Sequence, residues 1–197
     1  DGGGEEDGAE HAALRDPLDP TDDAVPFRDS DGDGLPDNEE DANRNGARDP
    51  GESDPFADDS DGDGLPDGYE ARRRQPTDPN DVDTDGDGRS DGFELSAEVP
   101  TDPLMADTDQ DGLTDAEEDR DGDGRVDRGE TDPTRADTDG DGLIDGLEDL
   151  DADGRWDTSE TDPLNPDTDQ DGIYDGFEDG DRDGLVGPGE TDPRLWD

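Results

Sequence analysis

Cysteine is absent from this 197-residue chain, which excludes disulfide staples and thiolate metal sites. Lysine is absent too, and all 15 basic residues are arginine. Histidine occurs once, at His11, in a glycine-rich acidic stretch where a solvated side chain is expected rather than a catalytic one. Apolar residues make up 21% and aromatics 4% of the chain, too few for a conventional hydrophobic core. No apolar run approaches membrane-spanning length, and no signal peptide heads the sequence. Positive charge is scarce against 68 acidic residues, leaving a formal charge of −53. That balance argues against nucleic acid as a partner. The single basic cluster, Arg72-Arg73-Arg74, reads as neutralising neighbouring carboxylates or as a protease-sensitive spot. Composition alone describes an intrinsically disordered chain.

What is present overturns that description. The pattern Asp-x-Asp-x-Asp-Gly-x-x-Asp-x-x-Glu recurs from Asp29 almost to the C-terminus. Six primary copies open on Asp29, Asp59, Asp83, Asp107, Asp137 and Asp167 and close on Glu40, Glu70, Glu94, Glu118, Glu148 and Glu178. Four second copies stand directly behind primary ones: Asp41–Glu52, Asp119–Glu130, Asp149–Glu160 and Asp179–Glu190. Glycine holds position 6 in all ten. Random acidity does not keep glycine in register ten times, and a motif that is weak once is specific when repeated.

The spacing is that of a calcium loop. Calcium takes six to eight oxygens, which a twelve-residue loop supplies from positions 1, 3, 5, 7, 9 and 12. Position 3 is filled by Asp31, Asp61, Asp85, Asp109, Asp139 and Asp169, and by Asn43, Asp121, Asp151 and Asp181 in the second loops. Position 5 is filled by Asp33, Asp63, Asp87, Asp111, Asp141 and Asp171, and by Asn45, Asp123, Asp153 and Asp183. Glycine at position 6 permits the sharp reversal that follows. Position 7 offers a backbone carbonyl, so its side chain varies: Leu35, Leu65, Arg89, Leu113, Leu143, Ile173, then Ala47, Arg125, Arg155 and Leu185. Position 9 is Asp37, Asp67, Asp91, Asp115, Asp145 and Asp175, then Asp49, Asp127 and Asp157. One helical turn places positions 9 and 12 on the same side, where the longer glutamate grips an ion with both oxygens. Of the 68 acids, 47 fall at these positions, so the acidity is ligand chemistry rather than bulk charge. Gly187 stands where loop 179–190 needs its position-9 ligand, which predicts weaker binding or a water there. About ten calcium ions per chain are expected. Their double charges would bring −53 only to −33, so the loaded chain stays acidic while the metal-free chain expands.

The array divides into units 29–58, 59–82, 83–106, 107–136, 137–166 and 167–197. Two of them replace the second loop by six residues, Ala71–Pro76 and Leu95–Pro100. Connectors begin Ser-Asp-Pro or Thr-Asp-Pro, at Asp54, Asp78, Asp102, Asp132, Asp162 and Asp192. Each such aspartate caps a short turn with proline at its first position or adds a ligand to a neighbouring ion. Apolar residues at position 7, at position 11 (Tyr69, Phe93, Leu147, Phe177) and after the connector proline (Phe56, Leu104, Leu164) predict a small cluster between successive units. Residues 1–28 differ: Asp1–Glu10 reads as flexible, Glu10–Arg15 as a turn or two of helix, and Asp16-Pro17 and Asp19-Pro20 as extended or turn geometry.

True calcium-binding helix–loop–helix modules need helices on both sides, and Asp41 follows Glu40 with no room for one. The chain resembles thrombospondin type-3 repeats, above all the bacterial cell-surface version. Asp137–Glu148 and Thr131-Asp132-Pro133 carry that resemblance, which covers residues 29–197. It implies a mostly irregular, calcium-stabilised repeat array, a thrombospondin type-3-like rod with short helical turns, little regular secondary structure and no conventional hydrophobic core. It also implies an extracellular or cell-surface location and an adhesive or spacer role. The animal members carry disulfides and this chain has none.

The function expected is structural: an extracellular, calcium-rigidified stalk or a self-assembling fibre subunit. Asp197 stands where a seventh unit would open, and segment 1–28 is expected to dock on a neighbouring subunit, giving a head-to-tail filament. The alternatives are a calcium-dependent adhesin or spacer that recognises a cell-surface polymer or protein, and a calcium store or mineral-binding protein. Trp156 and Trp196 are expected to pack locally rather than against a sugar. No nucleophile–base pair or phosphate loop appears, so no enzymatic activity and no catalytic residue is expected.

Overall fold

The computed structural model describes residues 28–196. Segment 1–28, with its expected docking role, its short helix and His11, lies outside the described residues but for Arg28. Six short helices and no strands occur among the described residues. They are α1 (Asp37–Glu40), α2 (Asp67–Arg72), α3 (Asp91–Ser96), α4 (Asp115–Glu118), α5 (Asp145–Glu148) and α6 (Asp175–Glu178). Each opens at position 9 of a primary loop and runs through position 12. The chain is therefore mostly loop and turn, as its composition requires.

The second loops carry the same twelve-residue register yet form no helix. In three of the four, position 11 decides this; in loop 149–160 position 11 is Ser159, whose N–H and hydroxyl donate to Asp157 instead. Primary loops place Glu39, Tyr69, Phe93, Glu117, Leu147 or Phe177 there, whereas three second loops place Gly51, Gly129 and Gly189. Gly129 has φ of 94°, a left-handed conformation that ends helical hydrogen bonding and that side chains avoid.

Contacts group the described chain into two units, residues 28–84 with 90–92, and residues 85–89 with 93–196. Both are built by one device. The position-5 carboxylate of a primary loop accepts the backbone N–H of position 10 in the next primary loop. In the first unit Gly68 donates to Asp33, and Gly92 to Asp63 at 2.7 Å. In the second, Gly146 donates to Asp111 at 3.1 Å and Gly176 to Asp141 at 2.7 Å. A Cβ on Gly68 would lie 2.7 Å from the Asp33 carbonyl oxygen and the Leu35 nitrogen, closer than real Cβ atoms come. In these four loops position 10 is glycine because one backbone sits directly on another; the first and fourth primary loops carry Asn38 and Ala116 there.

The buried interior is carboxylate rather than hydrocarbon. Apart from prolines, among them the connector residues Pro55, Pro103, Pro133, Pro163 and Pro193, only Leu35, Leu113 and Leu143 are buried apolar side chains among the described residues, while Asp67, Glu70, Asp91, Glu94, Asp145 and Glu148 are sealed from solvent. The expected cluster between successive units therefore forms only in part. Tyr69, Phe56, Leu164, Ile173 and Phe177 are exposed, because acidic groups occupy the space between loops.

Connector aspartates cap turns. In each, the carboxylate accepts the N–H two residues on, as from Phe56 to Asp54 at 3.1 Å and from Leu164 to Asp162 at 3.2 Å. Its carbonyl accepts the next N–H along, closing the turn.

Candidate metal centres

Each primary loop folds around its own carboxylates. In loop 137–148, Asp137 accepts N–H bonds from Gly140 at 2.7 Å and Gly142 at 3.1 Å. Asp139 takes that of Asp141, and Asp141 that of Leu143. These bonds curl residues 1 to 7 about a common centre. The side-chain oxygens of Asp29, Asp31 and Asp33 approach within 4.8 Å of one another, as do those of Asp59, Asp61 and Asp63, and of Asp107, Asp109 and Asp111.

Behind this cup stands an oxygen set with nothing to bond. Oδ2 of Asp31, Asp61, Asp109 and Asp139 is buried without a hydrogen-bond partner, and so is Oε2 of Glu40, Glu70, Glu94, Glu118, Glu148 and Glu178. A buried bare carboxylate oxygen is costly. Its cost appears as displaced ionisation. Burial first, then neighbouring aspartates, pushes Glu40 up to about 8, Glu118 to about 9 and Glu148 to about 10. Asp109 and Asp139 rise to about 7 for the same reasons. A cation at the centre would reverse these shifts and satisfy the bare oxygens together. The donor set is all oxygen and mostly carboxylate, which fits calcium.

Position 9 is placed differently from a simple loop ligand. Asp91 comes within ligand distance of Asp63 and Glu70 in the preceding primary loop. Asp67 likewise acts electrostatically on Glu40 as well as on Glu70. The position-9 carboxylate thus stands between its own loop and the one before it.

Two residue types escaped the sequence reading. Position 2 of every primary loop is Ser30, Ser60, Thr84, Thr108, Thr138 or Thr168. Its hydroxyl donates to the position-9 aspartate, as Thr138 does to Asp145 at 2.6 Å, and its N–H donates there too. The Thr138 hydroxyl also accepts the N–H of Asp132 at 3.0 Å. The connector Ser or Thr reaches the position-12 glutamate: Thr77 to Glu70 and Thr101 to Glu94, each at 3.0 Å. The constant presence of a hydroxyl at these two places was the available signal.

The second loops differ in kind. Glu130 accepts backbone N–H groups from Asp121 at 3.3 Å and Asp127 at 3.0 Å, and Glu160 those of Leu150 and Asp157. Glu52 and Glu190 are bonded in the same way. Their closing glutamates are occupied by the chain itself. Loop 119–130 has a further feature: Arg89, which replaces the usual leucine at position 7, pairs with Asp119 at 2.7 Å, both side chains nearly buried.

Residues 29–43, 59–82, 83–106 and 107–122 match the family model of the bacterial TSP3 repeat. Over this stretch the chain is an array of bacterial thrombospondin type-3 repeats, a class of calcium-binding repeat. The loops beyond residue 122 continue the same aspartate ladder with glycine at position 6. No curated protein matches the chain as a relative. No helix among the described residues is long and apolar enough to cross a membrane.

Proposed function

We propose that this protein is an extracellular structural element whose stiffness is supplied by bound calcium, serving as a stalk or fibre subunit. The observation that carries this reading is the row of buried, unpartnered carboxylate oxygens at position 12 of all six primary loops and at Asp31, Asp61, Asp109 and Asp139. Each primary loop holds one ion through positions 1, 3, 5 and 12 and the position-7 carbonyl, and the position-9 aspartate of the following loop braces it. Successive ions are thereby coupled, and loading one site organises the next. The four second loops fill later and more weakly, because their glutamates must first release backbone N–H groups.

Native mass spectrometry across a calcium titration tests this. Two tiers are expected, six ions bound before four more. Fewer than six tight ions, or ten filling with one affinity, overturns the assignment. Self-association through residues 1–28 is a separate part of the proposal. Electron microscopy of the loaded protein with and without that segment tests it, and filaments from both forms would refute it.

A further inference from the structure

We propose that the groove between the two double-loop units 107–136 and 137–166 binds a sugar ring that bears a single carboxylate, a uronic acid set among neutral sugars of a glycan. The groove is a cavity of about 580 Å³ whose lining includes Arg120, Arg128, Arg155 and Trp156. That volume lies within the usual range for small-molecule sites.

Three observations carry the assignment. First, three arginines converge here against two lining carboxylates, Asp149 and Asp162, in a chain that is otherwise overwhelmingly acidic. Asp149 is a position-1 loop carboxylate and Asp162 is held in its connector turn. Arg120 is built into the wall, its guanidinium donating to the carbonyls of Gly154 and Gly129. Arg128 and Arg155 are exposed and have no ion pair or hydrogen bond among the described residues. Their planar forks suit a carboxylate, which arginine holds with two parallel bonds. Second, Trp156 is anchored by its indole N–H to the Glu160 carbonyl at 3.3 Å, yet its side chain is about half exposed. An anchored, open indole offers the apolar face of a sugar ring a platform. Third, the fold does not need this lining. One repeat further on, 30 residues along the sequence, the equivalent groove is lined by Leu150, Leu185 and Val186 in place of Arg120, Arg155 and Trp156. That groove is also smaller, about 160 Å³. The same joint closes with either set, so arginine and tryptophan are there for something other than closure.

The commitment to a sugar over nucleic acid follows from charge. Two free guanidiniums cannot offset the repulsion between a chain of formal charge −53 and a polyphosphate. An isolated carboxylate on a ring that also stacks needs fewer. The site rests on the calcium reading, because Arg155 and Trp156 sit inside loop 149–160, whose carboxylates must be neutralised before an anion can approach.

The test uses the full chain with Trp196→Phe, so that fluorescence reports Trp156. Native mass spectra first confirm ion loading, and failure to load overturns the calcium reading before any sugar is added. The probes are a tetrasaccharide of three neutral sugars and one glucuronic acid and its carboxyl-reduced counterpart, with calcium in excess. Saturable quenching by the acidic sugar is expected, with at least about tenfold weaker binding of the reduced one. Arg128→Gln, a surface change, should weaken binding about tenfold. Arg155→Leu with Trp156→Val, the residues of the neighbouring groove, leaves no tryptophan, so its binding is read by isothermal titration calorimetry, where it should be abolished while native mass spectra show the ion count unchanged. No saturable binding, equal binding of the neutral sugar or of a single-stranded oligonucleotide, or undiminished binding by the double variant each overturns the proposal.

Discussion

Glu148→Gln should change stability in opposite directions with and without calcium. Glu148 is fully buried, both its carboxylate oxygens lack partners, and burial among aspartates pushes its ionisation up to about 10 from an ordinary 4.5. At pH 7 the metal-free fold must therefore hold this group protonated, whereas the unfolded chain ionises it. The interval from 4.5 to pH 7, at about 1.4 kcal/mol per pH unit, corresponds to about 3 kcal/mol against the folded state. Glutamine has the same shape and no charge to lose, so it recovers up to that amount. With calcium bound the glutamate is an ionised ligand, and removing one partner from a buried charge pair costs about 3–5 kcal/mol. That corresponds to roughly two to four decades of affinity at this site. Urea unfolding followed by tryptophan fluorescence, in EDTA and in excess calcium, reads both arms, and native mass spectrometry counts the lost ion. A shift of the same sign in both buffers would refute the reasoning.

Three further outcomes follow from the same geometry. Gly176→Ala places a Cβ 2.6 Å from the Asp141 carbonyl oxygen and should cost about 1–3 kcal/mol in a calcium-saturated thermal melt; an unchanged midpoint would mean the two loops are not seated as described. Thr138→Val removes the hydroxyl bonded to Asp145 at 2.6 Å and should cost about 1–3 kcal/mol, with Thr138→Ser restoring most of it in the same assay. In chelated protein, Glu40, Glu70 and Glu94 are raised from 4.5 to about 8 by burial. Groups raised in the fold contribute stability that is present below 4.5 and lost as pH rises through about 8. Solution scattering should therefore show a more compact metal-free chain at pH 4.5 than at pH 8, and greater compaction at the higher pH would contradict the burial of these groups.

The convergence of the carboxylates at positions 1, 3 and 5 and the turn glycine at position 6 were legible because they are local. The repeat family, the irregular architecture and the helical turn joining positions 9 and 12 followed from them. What escaped notice depends on neighbours far along the chain. Gly68 looks like one more loop glycine until Asp33, 35 residues earlier, is found against it. Asp91 reads as a ligand of its own loop, and only the fold brings it to Asp63 and Glu70. The two kinds of loop share their acidic positions except at Asn43, Asn45 and Gly187, so most of their difference lay in position 11, which carries no ligand. The exposure of Phe177 and Tyr69 has the same origin: apolar periodicity suggested packing, and the space between loops had already gone to carboxylates.

The glycine seat connects loops whose spacing in sequence is not constant. Gly68 and Asp33 are 35 residues apart, Gly92 and Asp63 only 29, because a six-residue bypass can stand where a whole second loop would. The joint takes no account of which is threaded past it. An array assembled this way can take long and short modules in any order, each seated on its neighbour through the same contact.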